Sequence, residues 1–129
     1  MKCYYFDKPI TIKANEILEY TLYPDGTAKG TTRMRRVFVL NEGSHDYSDA
    51  EAFGELVYCT SGMLPKHDIN RLFLTLDEVL SNSDRQDLIM LSSLSSLCSV
   101  ASAIMAAQHG EVHFLVYHDG KYYEKDLVL

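Results

Sequence analysis

From residue 37 onward the chain alternates short apolar runs with segments whose apolar positions recur every three or four residues. Val37-Phe38-Val39-Leu40 is such a run, closed by Asn41 and Gly43, and reads as a buried strand. Leu56-Val57-Tyr58-Cys59 and Asp87-Leu88-Ile89-Met90-Leu91 repeat the pattern, as does Val112-His113-Phe114-Leu115-Val116-Tyr117. Between them, Ser48-Asp49-Ala50-Glu51 fits a capping box and predicts a short helix ending at Phe53, stopped by Gly54. Asp68 is placed to cap a helix in which Leu72, Leu76, Val79 and Leu80 share one face. Ser93 to His109 is a third helical segment, closed by Gly110 as its left-handed terminator. Asp119-Gly120 is a hairpin turn into a closing strand, Tyr122–Leu129.

Residues 1–34 have a different texture. Two tyrosine-rich, β-prone stretches, Lys2–Phe6 and Ile17–Tyr23, flank a break at Lys8-Pro9. The second runs into the turn Pro24-Asp25-Gly26-Thr27. This arm is expected to form a hairpin or meander that extends the sheet edge or clasps a second subunit. Strands alternating with helices predict an α/β fold. Its mostly parallel central sheet has about four strands with helices on both faces. Antiparallel N-terminal and C-terminal strands complete it. The 129 residues are expected to form a single α/β domain, with 1–34 as arm and 35–129 as core.

Composition narrows the function classes. A hydrophobic content of 47% supports a real core. The weakly polar stretch Leu88–Ala107 is broken by six serines from Ser92 to Ser102, so no transmembrane span is expected. The first residues lack an apolar core of the kind a secretion signal needs. Cys3, Cys59 and Cys98 have no CxxC spacing and read as small hydrophobes in a reducing compartment. A net charge of -6 argues against nucleic acid as partner. Lys29, Arg33, Arg35 and Arg36 are a local exception, read either as a solvated strand face or as an anion- or partner-contacting patch. The five histidines are scattered and predict no metal site, and no cofactor is implied.

In open α/β sheets ligands bind beyond the carboxyl ends of the strands. All four predicted ends are small and polar. The first carries Asn41, Gly43, Ser44, His45, Asp46 and Tyr47, and the second Thr60, Ser61 and Gly62. Ser92, Ser93, Ser95 and Ser96 follow the third, and His118 and Asp119 the fourth. The plain alternative is that loops are polar anyway. His45 and Asp46 offer a base beside a carboxylate, or simply loop chemistry with Asp46 and Ser48 capping the helix. The serines open a helix whose N–H groups and dipole suit an anion, or they are only N-caps. The glycines of a P-loop and the GxSxG of a nucleophile elbow are missing. Ala101, Ser102, Ala103, Ala106 and Ala107 permit close backbone approach, by the chain's own sheet or by a partner helix. Tyrosines 4, 5, 20, 23, 122 and 123 suit edge packing or an interface, and base stacking less.

The stretch Asn41-Glu42-Gly43-Ser44-His45-Asp46-Tyr47-Ser48-Asp49-Ala50-Glu51-Ala52-Phe53-Gly54-Glu55-Leu56, together with Gly110 through Leu127, resembles a group of small bacteriophage proteins. They share an N-x-G-x-HDYS-x-A-x-x-[FY]-G stretch, and the similarity covers Arg35 to Leu129. No activity is assigned to that group, so no residue role transfers. The resemblance implies a viral accessory protein acting in the cytoplasm of a bacterial host. Three functions are then expected in order. The first is a non-enzymatic, homo-oligomeric counter-defence protein that sequesters a small phosphate- or ribose-bearing nucleotide signal. Its site would draw on Asn41, Gly43, His45, Asp46, Thr60, Ser61, Ser92, Ser93, Ser95 and Ser96, with Arg35 reaching the phosphate. The second is an inhibitor docking on a host or defence protein through the acidic surface and the tyrosine-rich arm. The third is a small nucleotide-modifying hydrolase with His45 as base.

Overall fold

A computed structural model describes residues 2–3, 10–11, 13, 15–43, 45–92 and 94–129, with backbone alone at 2–3, 10–11 and 20. Residues 4–6 of the first tyrosine-rich stretch, Ser44 and Ser93 therefore lie outside the described residues. The chain divides into two compact units, Met1–Arg35 and Arg36–Leu129.

In the first unit β1 (Lys2–Cys3) pairs antiparallel with β2 (Ile10–Thr11). The hairpin of β3 (Glu16–Leu22) and β4 (Ala28–Met34) is in register from Leu22↔Ala28 to Glu16↔Met34. Its turn closes where expected. Asp25 accepts the Thr27 backbone N–H at 3.0 Å, and Gly26 takes a φ of 87° that an L side chain would resist. The hairpin forms a two-stranded sheet of its own and adds no strand to the larger sheet, which corrects the expected extension of the sheet edge.

In the second unit β5 (Arg36–Val39), β6 (Glu55–Tyr58), β7 (Leu88–Met90), β8 (Glu111–His118) and β9 (Lys121–Val128) form one five-stranded sheet in the order β6-β5-β7-β8-β9. The first four are parallel neighbours, and β9 returns antiparallel to β8. At the β8–β9 turn both Asp119 and Gly120 have positive φ, 49° and 79°, as a two-residue hairpin of this hand requires.

Strand alternation sorts the apolar residues into two cores. Phe38, Leu40, Ile89 and Val112 face α1 (Ile69–Leu80) and α2 (Ser95–His109), meeting Leu72, Leu76, Leu80, Leu97, Ala101 and Met105. Val37, Val39, Leu88, Met90 and Leu115 face the other way, against Tyr47 and Ala50. Of the small residues of α2, Ala101 is wholly buried and Ala106 lies against the first core, while Ala103 and Ala107 are exposed. Asp68 caps α1 as expected, accepting the Arg71 N–H at 3.2 Å, and Gly110 ends α2 with a φ of 74°.

The expectation of helices on both faces needs correcting. Both α-helices lie on one face, and the other is covered by a six-residue 3-10 segment, Ser48–Phe53. The capping box does not form there either. Asp46 already accepts the Ser48 N–H at 2.9 Å, so the turn starts at Tyr47 without a side-chain cap. With Ala50 as its only buried residue, the segment lacks the apolar stripe that would hold an α-helix.

Cys59 and Cys98 are half-buried thiols packed against the first core. Burial pushes the Cys59 thiol up to about 12, so it stays protonated and unreactive at neutral pH.

At the amino end of the sheet, His113 Nδ1 is 2.7 Å from Asp126 Oδ1 across the β8–β9 ladder, and Nε2 is 3.2 Å from Glu111 Oε1. Arg85 Nε also approaches Glu111 Oε1, at 3.2 Å. Burial works against the imidazolium but is outweighed by the bonds and charges of Glu111 and Asp126, so the His113 pKa is raised. The folded protein then binds this proton more tightly than the unfolded chain does. The resulting stabilisation is complete below the ordinary histidine value of about 6.5 and is lost as pH rises through the folded value. The urea midpoint is expected to fall across that interval, and His113→Gln to flatten the fall. A midpoint equally pH-dependent in the variant would contradict this origin.

Candidate functional site

The parallel pairing brings the carboxyl ends of β5, β6, β7 and β8 to one edge of the sheet. The chain leaves β5 through the 3-10 segment toward β6, and leaves β7 through α2 toward β8. These adjacent strands therefore send their connections to opposite faces and in opposite directions, as right-handed crossovers demand. The gap between them is a topological switch point, the place where open α/β sheets receive ligands.

The loops after β5 and β6 are sewn together. Glu42 N–H donates to Thr60 carbonyl oxygen at 2.7 Å, and Glu42 bridges Ser61 as a continuation of the parallel ladder. The Thr60 hydroxyl lies 2.6 Å from the Leu40 carbonyl oxygen and 3.0 Å from Asn41 Oδ1. The Asn41 amide donates to the Gly62 carbonyl at 3.4 Å. Asn41, Thr60 and Ser61 are thus neighbours, but the Asn41 and Thr60 side chains spend their polar atoms on the protein. Gly43 is exposed, and nothing crowds the position a Cβ would take there.

Across the switch point the link is aromatic. Tyr47 is buried, its hydroxyl accepts from Ser92 Oγ at 3.1 Å, and its ring lies 4.8 Å from that of His45. This bond joins the loop after β5 to the loop after β7. His45 itself is exposed. The Ser48 backbone N–H, then its hydroxyl, hold the Asp46 carboxyl below its ordinary value, and the charge of His45 adds to this. A carboxylate so held stays ionised and is a poor proton donor near neutral pH.

Ser92 is exposed, and Ser95 and Ser96 open α2, whose N-cap, Leu94, makes no side-chain hydrogen bond to the first turn. Ser93 lies outside the described residues. His118 ends β8 at the same edge, exposed, with Nε2 3.2 Å from Asp119 Oδ2. Arg35 belongs to the first unit, where its guanidinium donates to Asn15 Oδ1 at 3.0 Å. Arg36 donates to the Asn82 carbonyl at 3.2 Å, and Arg33 pairs with Glu19.

An aromatic corner lies on the face of the 3-10 segment. Tyr122 meets Tyr117 edge-on at 5.2 Å and Phe53 at 6.3 Å. Burial first, then the negative fields of Tyr47, Asp49, Tyr117 and Asp46, raise the Tyr122 pKa and keep its hydroxyl a donor. A signal was present for Tyr47: one bulky aromatic inside the polar run 41–51 has to be buried somewhere. Among the described residues no three histidine, cysteine or carboxylate side chains are grouped to hold a metal ion. Nor is any helix there long and apolar enough to cross a membrane.

Fold and site together define a small α/β protein with a polar, serine-lined switch point. The chain belongs to the Phage Pam3 gp32-like protein family, whose model matches residues 35–128. No curated protein and no solved structure matches it.

Proposed function

We propose that the protein is a non-enzymatic binder of a small phosphate- or ribose-bearing ligand, seated at the switch point between β5 and β7. The observation that supports this reading is the start of α2. It opens at that point with Ser95 and Ser96, and its N-cap, Leu94, gives the first turn no side-chain hydrogen bond. Such a terminus favours an anion through its free donors and its dipole. In a phage family, the function this site serves best is counter-defence in the bacterial host: holding a nucleotide-type signal away from its receptor.

Thermal unfolding with cyclic nucleotides, AMP and ADP-ribose tests the reading, because a ligand that binds only the folded state raises Tm by mass action. At least one member is expected to raise Tm in proportion to the logarithm of its concentration. Ser95→Glu sharpens the test. A carboxylate in the first turn stabilises a free helix by about 0.3–1 kcal/mol yet repels a phosphate. The variant is therefore expected to melt no lower than the parent and to lose the ligand-induced rise. A panel without any shift, or a shift that Ser95→Glu leaves intact, would overturn the assignment.

A further inference from the structure

We infer that the solvent face of α1 is the interface of a two-fold symmetric homodimer in which the α1 helices of two copies pack antiparallel. Leu72, Leu76 and Leu80 turn inward, while Arg71, Leu74 and Glu78 lie along the outward line, three and four residues apart. Leu74, at the middle of that line, is 68% exposed, and Phe73 beside it is exposed as well.

The charges on this face stand against their own helix. Arg71 sits in the first turn, where the dipole is positive, and Asp77 and Glu78 in the last, where it is negative. An isolated helix prefers the reverse. An antiparallel copy removes the conflict. A two-fold axis passing between Leu74 and Thr75 sets the Arg71 of each copy against the partner's Glu78. The arrangement pairs opposite charges twice and sets the Leu74 of each copy beside the axis. Isologous contacts of this kind need such self-complementarity, and a helix with one sign at each end supplies it.

Sedimentation equilibrium of the full chain, from micromolar to millimolar concentration, tests the interface through a charge-swap cycle. The parent is expected to dimerise. Arg71→Glu alone and Glu78→Arg alone each juxtapose like charges and are expected to weaken the dimer by about tenfold or more. The double variant Arg71→Glu/Glu78→Arg re-creates opposite pairs, and is expected to dimerise within a few-fold of the parent. Circular dichroism melts check that all four proteins are folded, which these exposed substitutions should not impair. A parent that is monomeric throughout assigns the face to another occupant and overturns the inference. So does a dimer indifferent to both single swaps, or a double variant no tighter than the singles.

Discussion

Replacing Asp87 with alanine is expected to lower the unfolding free energy by about 3 kcal/mol, the removal of one acceptor group stranding two donors. Asp87 is wholly buried at the head of β7. Its Oδ1 accepts the Arg36 N–H at 2.9 Å and its Oδ2 the Asp84 N–H at 2.7 Å. A buried carboxylate is tolerated only when hydrogen bonds replace its hydration, and here backbone donors do so. Those bonds also align the start of β5 with the start of β7, where the ladder Val37↔Leu88 begins. Alanine leaves both N–H groups without their acceptor at part-buried positions. The Asp87→Asn variant keeps one carbonyl oxygen and drops the charge, so a smaller loss, about 1–2 kcal/mol, is expected. Urea unfolding of the two variants against the parent decides. An alanine variant within about 0.5 kcal/mol of the parent would mean that the anchor is ornamental.

Asp87 also shows where the sequence stops being legible. A carboxylate heading the run Leu88-Ile89-Met90 looks like an ordinary strand residue, because its partner Arg36 lies 51 positions away. The parallel strands themselves were readable, since segments covered on both faces need uninterrupted apolar side chains. The caps at Asp68 and Gly110 were readable too, because each acts on backbone within a few residues. The 3-10 segment was not. Serine and glutamate at capping-box spacing describe a helix start, yet the choice between α and 3-10 fell to Asp46 and to how little of the segment could be buried. The hairpin β3–β4 was legible as a hairpin, while its independence of the larger sheet is a tertiary outcome. At the candidate site, gathering the strand ends followed from parallel order alone. The roles of Asn41 and Thr60 did not, because a loop amide or hydroxyl serves neighbouring backbone and ligand equally well until its partners are known.

Tyr47 joins fold and site, and its two halves should separate by mutation. Tyr47→Ala removes a buried ring from the second core and is expected to destabilise by about 3 kcal/mol, the lower end for aromatic truncation because the ring borders solvent. Tyr47→Phe keeps the ring and deletes only the hydroxyl that accepts from Ser92, a loss of about 1 kcal/mol. The phenylalanine variant is thus folded but lacks the bond across the switch point. If that bond holds the two loops at ligand-binding distance, amide exchange should quicken at Glu42 and Asp46 and at Leu91 and Leu94. The remainder of the sheet should stay protected. Exchange unchanged in those loops would show that the ring alone orders them, and that the Ser92 contact contributes nothing to the shape of the site. Quickened exchange together with an unaltered urea midpoint would place the bond's contribution in preorganisation rather than in stability. That is the more useful division for a binding protein, because a site held open by one hydroxyl can be weakened for its ligand while the core beneath it stays packed.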